Sequence, residues 1–176
     1  MPQPYSFATR VVNDYSASRP DDQYRAVIPP IYLASTFEQP TDGSAGPYGY
    51  QRSSNPTRGS VESAVAYVEN AKHALAFATG MAATATVFSS LTTGDRVLLT
   101  SSVYGGTFLL VDEFFTRRGI TAEFVDDFNE LTEVPADTAM IFLESPTNPT
   151  LRVTDISHVV SLAKKVNAKV VVDNTF

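Results

Sequence analysis

Met140-Ile141-Phe142-Leu143-Glu144-Ser145-Pro146-Thr147-Asn148-Pro149 is the stretch on which the reading of the fold turns. Its four leading apolar residues are too few for a helix and stand directly before a turn-rich segment, so they read as a buried strand. The two prolines that follow make the next residues an extended, stiff loop. Working outward, Val170-Val171-Val172, Val97-Leu98-Leu99 and Ala74-Leu75-Ala76-Phe77-Ala78 are further buried-strand runs, and Ala122-Glu123-Phe124-Val125 is another candidate. Helical patterns occupy residues 81–91, 107–117 and 156–166 between them. In the last, Ile156, Val159, Val160 and Ala163 form one apolar stripe behind the capping candidates Thr154 and Asp155. Strands alternating with helices predict an α/β domain: a mainly parallel sheet with helices on both faces.

Residues 1–58 have a different texture. They hold eight of the eleven prolines and little helical periodicity, as either a loop-rich arm or a disordered tail would. The apolar and aromatic residues of Ile28-Pro29-Pro30-Ile31-Tyr32 and Ser35-Thr36-Phe37 favour an arm that packs on something. From residue 59 the pattern becomes regular, with Val61, Ala64, Val65 and Val68 at helical spacing after possible N-caps at Thr57 or Ser60.

Composition narrows the function. A chain of 176 residues with 43% hydrophobic and 18% charged content suits one soluble globular domain. A net charge of −6 argues against nucleic acid or an anionic membrane surface as partner. There is no cysteine, which removes thiol catalysis, disulfides and thiolate metal sites. His73 and His158 have no neighbouring ligands at metal spacing, so no metal site is expected and both read as structural or surface residues. Residues 1–5 lack the basic-then-apolar pattern of a secretory signal, and no apolar run approaches the roughly 20 residues of a membrane helix. A cytoplasmic protein is expected.

Ligands of parallel sheets collect beyond the carboxyl ends of the strands, so the strand-to-helix junctions carry the functional reading. At Thr79-Gly80-Met81 a glycine lets backbone approach an anion, and the free N–H groups of the next turn suit a phosphate; the same residues also make an ordinary turn. At Tyr104-Gly105-Gly106-Thr107 the tyrosine suits a stack on a planar ligand, or a packing role in a flexible turn. Asn148 offers both a donor and an acceptor, either to a ligand or to its own turn. Asp173, at the end of a strongly apolar strand, needs a partner: a protonated ring nitrogen, or a helix terminus that it caps. Outside the sheet, Tyr50 and Arg52 provide a hydroxyl and a planar fork of donors suited to phosphate, or simply an exposed arginine beside the Asn55-Pro56 turn. No Gly-x-Gly-x-x-Gly follows the first strand, which argues against a nucleotide-binding dehydrogenase.

Taken together, Tyr50-x-Arg52-x-x-Asn55-Pro56-Thr57, Thr79-Gly80-Met81-Ala82-Ala83, Tyr104-Gly105-Gly106-Thr107, Glu144-Ser145-Pro146-Thr147-Asn148-Pro149 and Val171-Val172-Asp173-Asn174-Thr175 resemble, in order and spacing, the pyridoxal-phosphate (PLP) enzymes of cysteine and methionine metabolism. That family includes cystathionine γ-lyase, γ-synthase and β-lyase and methionine γ-lyase, and the resemblance covers essentially the whole chain. It implies an N-terminal arm, residues 1–58, making intersubunit contacts. Residues 59–176 would be an incomplete large PLP-binding domain of the type I aminotransferase-like fold. It further implies that Asp173 pairs with the pyridine nitrogen and that Tyr104 stacks on the ring and helps move protons. Gly80 and Met81 would hold the cofactor phosphate, and Asn148 would lie near cofactor and substrate carboxylate. Tyr50 and Arg52 would reach the phosphate of a neighbouring subunit in a homo-oligomer, a dimer of dimers.

Thr79 stands where the family often has serine, a mild change that keeps the hydroxyl. Gly106 stands where methionine γ-lyases typically have cysteine, which weighs against that member. The wording of the motifs is closest to the γ-lyases, then the γ-synthases, with a sulfur amino acid as substrate. The family's Schiff-base lysine follows the Asp-Asn-Thr motif and is expected to lie beyond residue 176. Lys72, Lys164, Lys165 and Lys169 do not replace it; Lys169 is about 13 Å along its strand from Asp173. The chain alone is therefore expected to be inactive. It would be part of a larger enzyme, one half of a split enzyme joined by a C-terminal half chain, or a non-catalytic subunit acting through its arm.

Overall fold

The computed structural model describes residues 6–13 and 28–176. The chain divides into two compact units, Met1–Phe77 and Ala78–Phe176. The absence of a secretory signal expected at residues 1–5 concerns positions outside the described residues.

The first unit contains α1 (Phe7–Asn13) and α2 (Pro56–Val68), with an antiparallel bridge between Thr36 and Tyr50 in the loops before α2. The cap of α2 is Asn55 rather than Thr57 or Ser60: its side chain accepts from the Thr57 N–H at 2.8 Å, and Pro56 occupies the first helical position. Proline fits there because that N–H has no intrahelical partner anyway. The predicted strand at residues 74–78 is not formed. Alanine contributes little to a pleated surface, Leu75 and Phe77 are exposed, and the Ala76 N–H donates to the Glu62 carboxylate of α2 at 2.9 Å instead of to a ladder.

The second unit holds the sheet. Its elements in order are α3 (Gly80–Phe88), β1 (Arg96–Thr100), α4 (Gly105–Leu110), β2 (Thr121–Val125), β3 (Thr138–Glu144), α5 (Ile156–Val166) and β4 (Lys169–Asp173). The predicted helix over 107–117 runs in three parts, α4 continuing as a π-helical stretch Val111–Phe115 and a 3-10 turn Thr116–Arg118. It stops at Gly119, whose φ of 81° favours glycine and whose neighbour Thr93 leaves no room for a Cβ. Asp155, of the two candidates, caps α5 by accepting from the His158 N–H at 3.1 Å.

The four strands are all parallel in the order β2-β1-β3-β4. Alternation splits the core between the two faces. Val97, Leu99, Met140 and Phe142 turn to one face and pack with Phe88, Val111 and Phe115; the rings of Phe115 and Phe142 lie 5.5 and 5.1 Å from that of Phe88. Leu98, Ile141 and Leu143 turn to the other and pack with Phe128, Val159 and Ala163. The expectation of helices on both faces of a parallel sheet is met.

At the amino ends of the strands, Arg96 on β1 bonds Glu123 on β2 at 2.8 Å and Asp137, just before β3, at 3.0 Å. The Arg96 guanidinium, by hydrogen bonding, holds the Asp137 carboxyl below its ordinary value. His158 bonds the Leu131 carbonyl through Nε2 at 2.8 Å, a structural contact that tethers the β2–β3 connection to α5. His73 is exposed. Among the described residues no helix is long and apolar enough to cross a membrane, and no cluster of three metal-ligand side chains occurs.

Candidate active site

From β1 the chain first builds β2 on one side and then crosses to build β3 on the other, so the strand order reverses between β1 and β3. At such a switch point the loops leaving the two strands diverge and open a crevice at the carboxyl ends. A cavity of about 630 Å³ lies there, bordered by residues of the α3 N-terminus, the β1–α4 turn, the loop after β3 and the end of β4. Gly80, Met81, Tyr104, Asn148 and Asp173 all line it. Tyr50 and Arg52 belong to the first unit, where the Arg52 guanidinium lies 4.6 Å over the Tyr50 ring.

Thr79 caps α3, its hydroxyl accepting from the Ala82 N–H at 3.0 Å. The earlier N–H groups, those of Gly80 and Met81, fall in the first turn of the helix, where no intrahelical acceptor exists. A Cβ built at Gly80 would meet nothing within 4 Å, so that helix end is open to a ligand.

Tyr104 is 52% exposed, and its ring edge occupies space that any side chain at residue 106 would need. A Cβ at Gly106 would come within 2.6 Å of Tyr104 Cε1 and 3.1 Å of Met81 Sδ. The glycine is thus required for the close approach of these two groups.

Asp173 ends β4 opposite Glu144 in the ladder. Its Oδ1 accepts from the Thr175 N–H at 3.1 Å and the Thr175 hydroxyl at 2.5 Å, so the carboxylate orders the turn that follows the strand. Asn174 donates to the Ser145 carbonyl at 2.7 Å, tying this turn to the loop after β3.

The loop after β3 differs from expectation. It is not extended but folds back: Thr147 N–H donates to the Arg152 carbonyl at 3.0 Å and Leu151 N–H to the Thr147 carbonyl at 2.7 Å. The Thr147 hydroxyl, fully buried, accepts from the Arg152 N–H and pairs with the Thr150 hydroxyl. The prolines remove donors but leave these threonine groups, and they close a reverse turn.

One buried carboxylate at the cavity escaped the sequence reading although it stands in the motif that ends β3. Glu144 is 4% exposed and lines the cavity. Its Oε2 accepts from the Tyr104 N–H at 2.8 Å and its Oε1 from the Asn148 N–H at 2.7 Å. The signal was available: a carboxylate ending an apolar strand needs a partner, which is the argument already applied to Asp173.

The donor set fits PLP. Two helix-terminal N–H groups suit a phosphate, a half-exposed tyrosine ring suits a planar aromatic, and a carboxylate suits a protonated ring nitrogen; all line one cavity of a size usual for cofactor sites.

Comparison with known proteins agrees with this fit. Residues 8–176 match the family described as Cys/Met metabolism PLP-dependent enzymes. The chain is 43% identical to a cystathionine beta-lyase of Coxiella burnetii, over 96% of this chain and 44% of that one. It is 40% identical to a cystathionine gamma-lyase of Bacillus subtilis, over 89% and 42%. The crystal structure of metB from Corynebacterium glutamicum superposes with a TM-score of 0.87 at 39% identity, over 100% of this chain and 46% of the other. The chain therefore spans less than half the length of these relatives. With the parallel sheet, the switch-point cavity and the sequence likeness in agreement, the chain belongs to the Cys/Met metabolism PLP-dependent enzyme family.

Proposed function

We propose that the complete protein is a PLP-dependent transsulfuration enzyme of the cystathionine γ-lyase type, cleaving a carbon–sulfur bond of a sulfur amino acid by γ-elimination. The observation that carries the reading is the convergence of Gly80, Met81, Tyr104, Asn148 and Asp173 on one cavity. When bound, PLP supplies an electron sink for charge developing beside the substrate's α-carbon. Asp173 would hold a proton at the ring nitrogen through its carboxylate. The N–H groups of Gly80 and Met81 would bind the phosphate. Tyr104 would cover one ring face and carry a proton at its hydroxyl, and the Asn148 amide would orient cofactor and substrate carboxylate. Val171 and Phe142, which turn to the same face of the sheet, supply apolar surface to the cavity.

Residues 1–58 are assigned to intersubunit contacts and residues 59–176 to part of the cofactor domain, in a cytoplasmic homo-oligomer. Tyr50 and Arg52, adjacent and solvent-facing, would serve a neighbouring subunit's phosphate. No lysine lines the cavity, and the 176-residue chain by itself is proposed to be inactive.

The runner-up is γ-replacement on an activated homoserine, as in a γ-synthase. Assay of the complete protein with cystathionine separates the possibilities by product. Cleavage on the four-carbon side leaves sulfur in cysteine, and cleavage on the three-carbon side leaves it in homocysteine. Cysteine is expected; homocysteine would move the assignment to a β-lyase, and turnover only with an activated homoserine and a thiol would move it to a γ-synthase.

A further inference from the structure

We propose that Glu144 is a positioning residue that clamps the two loops bordering the switch-point crevice, so that Tyr104 and Asn148 are set as one unit. Its carboxylate spans from the end of β3 to the β1–α4 turn, and each of its oxygens accepts one backbone N–H, from Tyr104 and from Asn148. The residue is itself fixed at the backbone, where its N–H donates to Thr100 Oγ1 at 3.2 Å. A carboxylate this deeply buried is costly unless both oxygens are satisfied, and here backbone donors satisfy both. Tyr104 precedes α4 without any side-chain cap of its own, so the Glu144 carboxylate supplies the anchor at that helix start. Neither contact involves the side chains of Tyr104 or Asn148, which stay available to a ligand. Glu144 therefore acts through other residues, at a place where two loops would otherwise move independently.

The inference rests on the proposed PLP site, and the test separates the two. Glu144→Gln keeps the shape but replaces one acceptor by a donor, so one of the two N–H groups loses its partner. In the complete protein carrying this change, amide hydrogen exchange at Tyr104 or Asn148 should quicken roughly tenfold while the Ile141 amide in β3 stays protected. PLP, followed by its absorbance on titration, should bind roughly tenfold more weakly, and inorganic phosphate, held at the α3 N-terminus, should bind unchanged. Unchanged exchange at both amides would overturn the clamp. Equal weakening of PLP and phosphate would also overturn it, because that is the result of a general loss of structure. If Glu144→Gln does not fold, Glu144→Asp retains the charge but is too short to reach both donors, and undiminished PLP affinity in that variant overturns the proposal. Failure of the unvaried complete protein to bind either PLP or phosphate would instead sink the placement of the cofactor at this crevice, and the exchange data alone would then decide the clamp.

Discussion

Asp173 and Glu144 face each other across the last rungs of neighbouring strands, yet their chemistry diverges because their partners do. Glu144 spends both oxygens on backbone donors, whereas the bonds made by Asp173 to Thr175 converge on one oxygen, Oδ1. Asp173→Asn in the complete protein should lower kcat/KM at least roughly tenfold and weaken PLP binding, since an amide cannot hold a positive ring nitrogen as a carboxylate does. Steady-state kinetics and PLP titration check this, and wild-type values in both would remove Asp173 from the site. Gly106→Ala tests the packing beside Tyr104. The new methyl would push the ring away from Met81, and PLP affinity should fall by up to roughly tenfold, the worth of one aromatic stack. Because Tyr104 is half-exposed, the urea midpoint should change little; a large drop there with intact PLP affinity would mean that the glycine serves the fold instead.

At the scale of elements, the sheet is held by alternation and its ends by a few polar contacts. Phe88→Ala on α3 removes a fully buried ring that packs on Phe115 and Phe142, and should cost about 3–5 kcal/mol in denaturant unfolding. Asp155→Ala removes the cap of α5 and should cost about 1 kcal/mol by the same measurement. The Arg96–Asp137 pair gives a pH signature. Its folded-state carboxyl lies below the ordinary value of 3.8, so any stability it contributes is present above that value and is lost as pH falls through the lower, folded one. The difference in urea midpoint between wild type and Asp137→Asn should therefore shrink on acidification below pH 3.8, and should also shrink with added salt because the pair is solvent-exposed. A difference independent of both pH and salt would show that the ion pair is not its source.

For the whole molecule, the proposed sharing of sites between subunits can be tested by mixing. Arg52→Ala and Asp173→Asn each should impair the complete protein. In a mixed oligomer one site can combine the intact Arg52 of one subunit with the intact Asp173 of the other, so partial activity should return on co-refolding. No recovery, with mixed oligomers demonstrated by mass spectrometry, would place both residues in the same subunit's site. Much of the arrangement was legible in the sequence. The strand runs at 97–99, 140–143 and 170–172 and the helix over 156–166 follow from hydrophobic periodicity, which is local, and the family likeness rests on motifs that are contiguous in the chain. Residues 74–78 misled because an apolar run of that length carries no information on whether a partner strand is present. The loop after β3 misled because proline restricts single residues, while the turn is closed by the Thr147 side chain reaching Arg152. The sequence by itself determined the alternating α/β pattern, the parallel class of the sheet and the residue types of the candidate site. Only the tertiary structure decided the strand order β2-β1-β3-β4, and with it the reversal between β1 and β3. That reversal brings the Glu144 carboxylate against the Tyr104 N–H, a contact across forty positions that no local pattern encodes, since which strands become neighbours depends on how the crossover connections run.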